Sequence, residues 1–363
     1  MKLKTLDTFV LREVKGPFFF GVLAFTLIMV AGGLLFKLAD LIIDQGVPLT
    51  VAFRLFAYQL PSVVTLTLPM SCLLGCLLGF GTLASHSEIV ALKASGVSFA
   101  RIARPVLVAS ALVSVVAFMM SEVLVPIGAK GVQQVMTKEL MAARPTLLQQ
   151  GVFIKIPNVG DDQVLYIDQL EGKEGLMEGV VIQRLQGGRL VGITTARQGL
   201  WKNGTWQLSD GAVYDVNAEG LVVTRLTFES QVLALNLSPT QLAKSTQDPD
   251  DLSARALYDH IKVIQAQGRP VNELWVDFHL KFALPLSCIF MALVGATVGA
   301  RGHRRGGASV GFGQSVLIVF VYYLVMTLGR SLGGAGKMPP LLAAWLPNLL
   351  FACASWWLVR RAD

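Results

Sequence analysis

Six segments free of Asp, Glu, Lys, Arg and His dominate this chain, three before a polar block and three after it. They run over Pro17–Phe36, Leu55–Ser85 and Pro105–Ser121, then Phe282–Ala300, Gly306–Gly329 and Met338–Val359. About 20 residues rising roughly 1.5 Å each cross a hydrocarbon core of about 30 Å. The segments therefore read as membrane helices, and the composition agrees: 53% hydrophobic, 15% charged and a mean hydropathy of +0.57 exceed a soluble domain. The first is not read as a signal peptide, because no small-residue cleavage site follows it and five more spans do. The second is long for one straight span, and Pro61 and Pro69 are expected to kink it or mark a re-entrant start. The third is short, with Glu122 expected at its interfacial end.

Orientation follows from the cations of the short loops, since cytoplasmic loops retain Lys and Arg. Lys2, Lys4, Arg12 and Lys15 precede the first span; Lys93, Arg101 and Arg104 follow the second; Arg301, Arg304 and Arg305 follow the fourth; Arg360 and Arg361 end the chain. The opposite side carries Lys37, Arg54, Arg330 and Lys337. Both termini are then expected in the cytoplasm and the polar block outside the inner membrane. The net charge of +7 comes largely from these flanks and reads as topology, not nucleic-acid binding.

Between Lys130 and Arg269 the hydrophobic period changes from helical to alternating. Strands are expected at 152–157, 164–168, 180–184, 204–208, 212–216, 221–225 and 232–237. Asn203-Gly204, Asp210-Gly211 and Glu219-Gly220 are the expected turns. This is an antiparallel β domain, and a sandwich, jelly roll or open barrel would each fit. Beyond it, Asp248 to Leu252 reads as a linker, and Leu252–Gly268 as a surface helix capped by Asp250 or Asp251. The expected divisions are 1–129 (spans one to three, with a cytoplasmic helix near 85–96), 130–250 (β domain), 251–272 (linker and helix) and 273–363 (spans four to six).

Catalytic signatures are missing. No GxSxG, HExxH or His/Cys ligand pair occurs, and Gly336-Lys337 lacks the loop and hydroxyl of a phosphate cradle. Cys72, Cys76, Cys288 and Cys353 all fall in spans and read as buried, inert thiols. Gly75-x-x-x-Gly79 and Gly295-x-x-x-Gly299 predict close helix packing. The uncharged spans disfavour ion coupling, since pumps retain intramembrane ionisable groups. A chain without its own energy source is passive or driven by a partner. The loop after span two offers a docking point: Ser85-His-Ser-Glu88 has a capping-box pattern, a short helix follows to Ser95, Gly96 can end it, and Ser98 starts the next.

The loop Ser87-Glu-Ile-Val-Ala-Leu-Lys-Ala-Ser-Gly96, the later His279-Leu-Lys-Phe-Ala-Leu-Pro-Leu286, Met338-Pro-Pro340 through Trp345-Leu-Pro-Asn348, and Ala196-Arg-Gln-Gly199 with Trp206, Leu208 and Gly211 resemble the lipopolysaccharide export permeases of LptF/LptG type over essentially the whole chain. Lys281 stands where that family often has Arg, and Asp277, one turn earlier, takes the place of the usual acid; the two are expected to pair at i,i+4. The resemblance implies an integral membrane α-helical fold of six helices, three plus three, with an inserted periplasmic antiparallel β-jelly roll. It implies a second permease half of the same type, a dimer of an LptB-type cytoplasmic ATPase and LptC/LptA-type periplasmic bridge proteins. No cofactor is bound by this chain; ATP and Mg belong to the partner. Lipopolysaccharide would enter from the outer leaflet between span one of one half and span five of the other, and be pushed up through the β domain.

By matching position, Glu88 and its helix, with Ile89, Leu92, Lys93 and Gly96, are the ATPase contact. Lys37 resembles a residue that meets lipid A phosphates, and Arg54 shares its interface, where cations pair with anionic headgroups. Phe25, Met29 and Phe36 in span one, and Phe312, Val316, Phe320 and Tyr323 in span five, are the expected acyl-chain stripes. Competing readings are a membrane-anchored envelope scaffold or sensor without transport, and an ion-coupled flippase.

Overall fold

The apolar segments become six helices long and apolar enough to cross a membrane. The computed structural model describes residues 5–43, 47–135, 152–157, 162–171, 176–186, 189–202, 205–217, 222–233, 249–266, 270–301 and 308–360. Helix α1 (Thr5–Met29) continues through a π turn (Val30–Leu34) into α2 (Leu35–Ile43), and α3 spans Leu49–Ser85. A short α4 (Glu88–Ala94) precedes α5 (Phe99–Met119), which continues through a π turn (Met120–Leu124) into α6 (Val125–Val135). After the strands come α7 (Ala254–Ala266), α8 (Asn272–Ala300), α9 (Ala308–Gly334) and α10 (Pro340–Arg360).

Of the two alternatives for the second span, the re-entrant start is corrected. Helix α3 runs unbroken for 37 residues past Pro61 and Pro69, with no re-entrant start. Burial of every residue from Thr67 to Leu74 supplies the packing that holds a proline-containing helix together. Glu122, expected at the interfacial end of the third span, sits in the π turn, and helix continues past it to Val135. Charge interrupts hydropathy there without ending the helix.

Both small-residue motifs are close approaches, and the structure says with whom. A Cβ on Gly75 would lie 2.9 Å from the Phe18 backbone, and one on Gly79 2.7 Å from a Val14 methyl, so this motif receives α1. Gly295 and Gly299 instead abut the carbonyls of Leu73 and Leu77, so α8 lies directly on α3. Helix α3 is thus the central element, and two buried clusters surround it. One joins Val14, Cys72, Phe80, Leu83, Ile102 and Ala292; the other joins Phe25, Met70, Leu74, Met291, Val319 and Tyr322. Cys72, Cys76 and Cys288 are buried as expected, whereas Cys353 is exposed on α10.

The chain divides into two compact units, Met1–Gln133 with Pro249–Asp363, and Gln134–Asp248. The second holds β1 (Val152–Pro157), β2 (Asp162–Glu171), β3 (Leu176–Gln186), β4 (Arg189–Lys202), β5 (Thr205–Val216) and β6 (Val222–Leu233). Each strand pairs antiparallel with the next, in the order β1-β2-β3-β4-β5-β6. Leu165, Ile167, Met177, Val180, Ile182, Ala196, Trp206 and Leu208 form its core, with the period-two alternation of a strand shifted by one residue between Met177 and Val180, where the ladder skips Gly179. Trp201 faces Trp206 across β4 and β5, rings 5.2 Å apart. Asn203-Gly204 and Glu219-Gly220 lie outside the described residues.

Asp210-Gly211 is not a turn. Strand β5 runs straight through it, with Asp210 at φ 53° and Gly211 paired to Ala196 and Phe228. In the register, Gly179, also left-handed at φ 63°, stands opposite Arg197, which stands opposite Asp210. The ladders skip Asp168, Gly179, Arg197, Asp210 and Glu229, an interruption that runs along a line across five strands. The expected strands 204–208 and 212–216 are therefore one strand. The described residues of 221–225 and 232–237 likewise belong to a single β6.

Candidate functional site

The helix expected to meet an ATPase forms, and its ends differ from the motif reading. Ser85 is the last residue of α3 and its Oγ donates to Thr82 O at 2.8 Å, so the capping box with Glu88 does not form. Ser87 precedes the helix in the left-handed region at φ 60° without a side-chain cap. The C-terminal end follows the expectation: Gly96 has φ 88°, its N–H donates to Lys93 O, and Val97 N–H donates to Leu92 O. This is a Schellman stop, for which Gly suits the left-handed position. Ser98 then starts α5, its Oγ accepting from Arg101 N.

A seven-residue helix has no independent stability, so something must seat it. Ile89, 4% exposed, does so, joining Phe80, Leu83, Phe99 and Ile102 in one buried cluster against which Leu92 and Val97 also pack. Phe80 and Phe99 meet edge-on at 6.0 Å, and Arg101 pairs with Asp7 at 2.6 Å, tying α5 to α1 nearby. Ile89 therefore faces the protein's own core. Glu88, Leu92 and Lys93 are half-buried, and Val90, Ala91, Ala94 and Gly96 are exposed. Val90, outside the expected contact set, is 65% exposed, an apolar residue on the outer side of a seated helix.

The stripe residues separate into two groups. Phe25 is 4% exposed and stacks on Phe312 at 6.0 Å, and Tyr323 donates its hydroxyl to Leu66 O at 3.1 Å. These three bind α1, α3 and α9 together. Met29, Phe36, Val316 and Phe320 are exposed at 40%, 68%, 42% and 63%. The π turn between Met29 and Phe36 adds a residue to that turn, which breaks the regular spacing that put Phe36 in line with Phe25. Exposed apolar residues also include Phe20, Leu23 and Leu27 on α1 and Leu317, Leu324 and Leu328 on α9. Arg54 is exposed in the first turns of α3. Lys37 lies in α2, and its side chain is outside what the structure describes.

A charged cluster lies where the return segment after the β unit meets the helices. The i,i+4 pair expected of Asp277 and Lys281 is replaced by partners from elsewhere. Arg330 Nε of α9 lies 2.8 Å from Asp277 Oδ1 and its Nη1 lies 3.7 Å from Asp250 Oδ2. Lys281 Nζ donates to Asp250 O at 2.5 Å. Glu122 accepts from Ala254 N at 2.9 and 3.1 Å with its two oxygens. The cap of α7 is thus Glu122 together with Ser253, whose Oγ accepts from Ala256 N, and not Asp250 or Asp251, which form a 3₁₀ turn. A carboxylate at a helix N-terminus answers both the orphan N–H and the dipole. Asp277 is 2% exposed and Lys281 8%, so the helices carry buried charge beyond their uncharged runs.

Among the described residues no group of three His, Cys, Asp or Glu is placed to hold a metal ion. Six helices able to span a membrane, a seated helix after the second and an antiparallel sheet inserted between the third and fourth define a multi-pass membrane protein. The family model of the lipopolysaccharide export system permease LptF/LptG matches residues 8–361, and the chain belongs to that family. It is similar to the LptG permease of Escherichia coli K12, 26% identical over 84% of this chain and 83% of that protein. It is also similar to LptG of Haemophilus influenzae, 22% identical over 83% of each, and to LptF of Escherichia coli K12, 23% identical over 85% and 82%. The chain is thus a lipopolysaccharide export permease, a membrane subunit of an ABC transporter that is not itself catalytic. The family implies no cofactor.

Proposed function

We propose that this permease half extracts lipopolysaccharide from the outer leaflet of the inner membrane and passes it to its β unit. The observation that supports this most is the seated helix α4, a handle in a family-matched chain whose sequence carries no Walker A motif. Both termini and α4 then face the cytoplasm, as the Lys and Arg bias favours, and the β unit faces the periplasm. A second permease half and two copies of an LptB-type ATPase complete the exporter, and bridge proteins of LptC/LptA type receive the lipid. The exposed stripes of α1 and α9, including Met29, Phe36, Val316 and Phe320, face the chamber shared with the second half. Lys37 and Arg54 meet the lipid phosphates.

In the ATPase contact, Glu88 and the outward residues beside it dock in a groove of the partner, while Ile89 holds the helix from below. The test is Glu88→Lys in the assembled exporter, reading ATPase retention and lipid release together. Loss of release with normal membrane insertion is the expected result. A variant that keeps both ATPase binding and release would remove Glu88 from this role.

A further inference from the structure

The charged cluster has no part in the proposed function, yet its geometry is that of a joint. Three side chains from three helices converge on six residues, Pro249–Ala254, where the chain returns from the β unit to the helices. Glu122 comes from the π turn after α5, Lys281 from α8 and Arg330 from α9. Two of the three grip backbone: the Asp250 carbonyl takes Lys281, and the Ala254 N–H takes Glu122. Backbone grips fix the segment's path whatever its side chains are.

We propose that Glu122, Lys281 and Arg330 are positioning residues that transmit movement of α9 to the return segment Pro249–Ala254. This rests on the proposed function, in which α9 is the fifth span and a wall of the lipid entrance. Arg330 is the moving contact. Its guanidinium reaches Asp277 on α8 at 2.8 Å and Asp250 on the return segment at 3.7 Å. Asp277, although buried, has no aligned hydrogen-bond donor on either carboxylate oxygen among the described residues. A fork of five N–H donors between two acids can redistribute between them without leaving a charge alone. Helix shifts of about 1–2 Å, ordinary in switching proteins, suffice for that exchange. Opening of the entrance and the path of the return segment are then linked through one side chain.

The experiment compares wild type, Arg330→Gln and Arg330→Lys in the complete exporter with its ATPase and second permease half, in proteoliposomes containing lipopolysaccharide. Two rates are read: ATP hydrolysis, and lipid transferred to a soluble periplasmic acceptor. Arg330→Gln should lower lipid released per ATP by about fivefold or more, the usual size of an inter-site coupling, with hydrolysis within about twofold of wild type. Arg330→Lys should restore part of the ratio. A wild-type ratio in Arg330→Gln would overturn the proposal, as would an equal fall of both rates, which marks a merely structural role. Should Arg330→Gln fail to assemble, Glu122→Gln, which weakens the grip on Ala254, takes its place: a fallen ratio supports the joint, and a wild-type ratio or an equal fall of both rates overturns it. A wild-type exporter that hydrolyses ATP but releases no lipid would instead sink the function on which the joint rests.

Discussion

Ile89 and Val90 are neighbours on α4 with opposite duties, and exchanging each for Ala separates them. Ile89 is 4% exposed in the cluster with Phe80, Leu83, Phe99 and Ile102, and Val90 is 65% exposed. Truncating a buried Ile to Ala costs about 2–5 kcal/mol, from lost transfer energy and the space left behind. Because α4 has seven residues and no stability of its own, that cost falls on the local opening of 86–98. With each 1.4 kcal/mol worth about tenfold, a loss of about 2.8 kcal/mol raises the open population about 100-fold. Hydrogen exchange of the purified permease reads this directly as lost protection in α4. Val90→Ala should change the chain's stability by no more than about 0.5 kcal/mol and leave exchange intact. It should still weaken ATPase capture, as Ile89→Ala should. Unchanged exchange in Ile89→Ala, or stronger deprotection in Val90→Ala, would refute the assignment of inner and outer faces.

Two further perturbations test the helical packing. Gly75→Ala places a methyl against the Phe18 backbone and should destabilise by about 1–3 kcal/mol, read as a lower thermal midpoint in detergent, whereas Gly81→Ala on the same helix, where nothing lies within 4 Å, should be neutral or stabilising. Asn348 accepts from Tyr322 Oη at 2.9 Å and donates to Ala283 O at 2.7 Å, joining α10 to α9 and α8. At about 0.6–1.7 kcal/mol for each such bond in a membrane protein, Asn348→Leu should lose about 1–3 kcal/mol, and Tyr322→Phe about half of that by the same thermal assay.

The helices are legible in the sequence because burial in lipid leaves a signal on every residue of a span, and uncharged runs of 17 to 31 residues are hard to mistake. What fails are readings that join residues by spacing alone. Phe25, Met29 and Phe36 look like one stripe, but the π turn over Val30–Leu34 shifts the later residues. Asp277 and Lys281 look like a pair because they are one turn apart; their partners, Arg330 and the Asp250 carbonyl, lie in other elements. The cap of α7 is out of reach for the same reason, since Glu122 and Ala254 are 132 positions apart. In the β unit, β4 escapes pattern reading because Gly192, Thr194, Thr195 and Gly199 dilute its alternation. Asp210-Gly211 carries turn chemistry but uses it to interrupt a ladder. The Schellman stop at Gly96 is readable because it depends on one residue and its immediate neighbours.

In the proposed function this chain supplies walls and handles while another subunit supplies energy. The direct measurement is lipopolysaccharide transfer to a soluble acceptor from proteoliposomes holding this permease, its second half and the ATPase. Transfer should require ATP and the ATPase, and should persist when the proton gradient is dissipated. Transfer by the permease halves alone, or transfer that stops with the gradient while ATP remains, would contradict it.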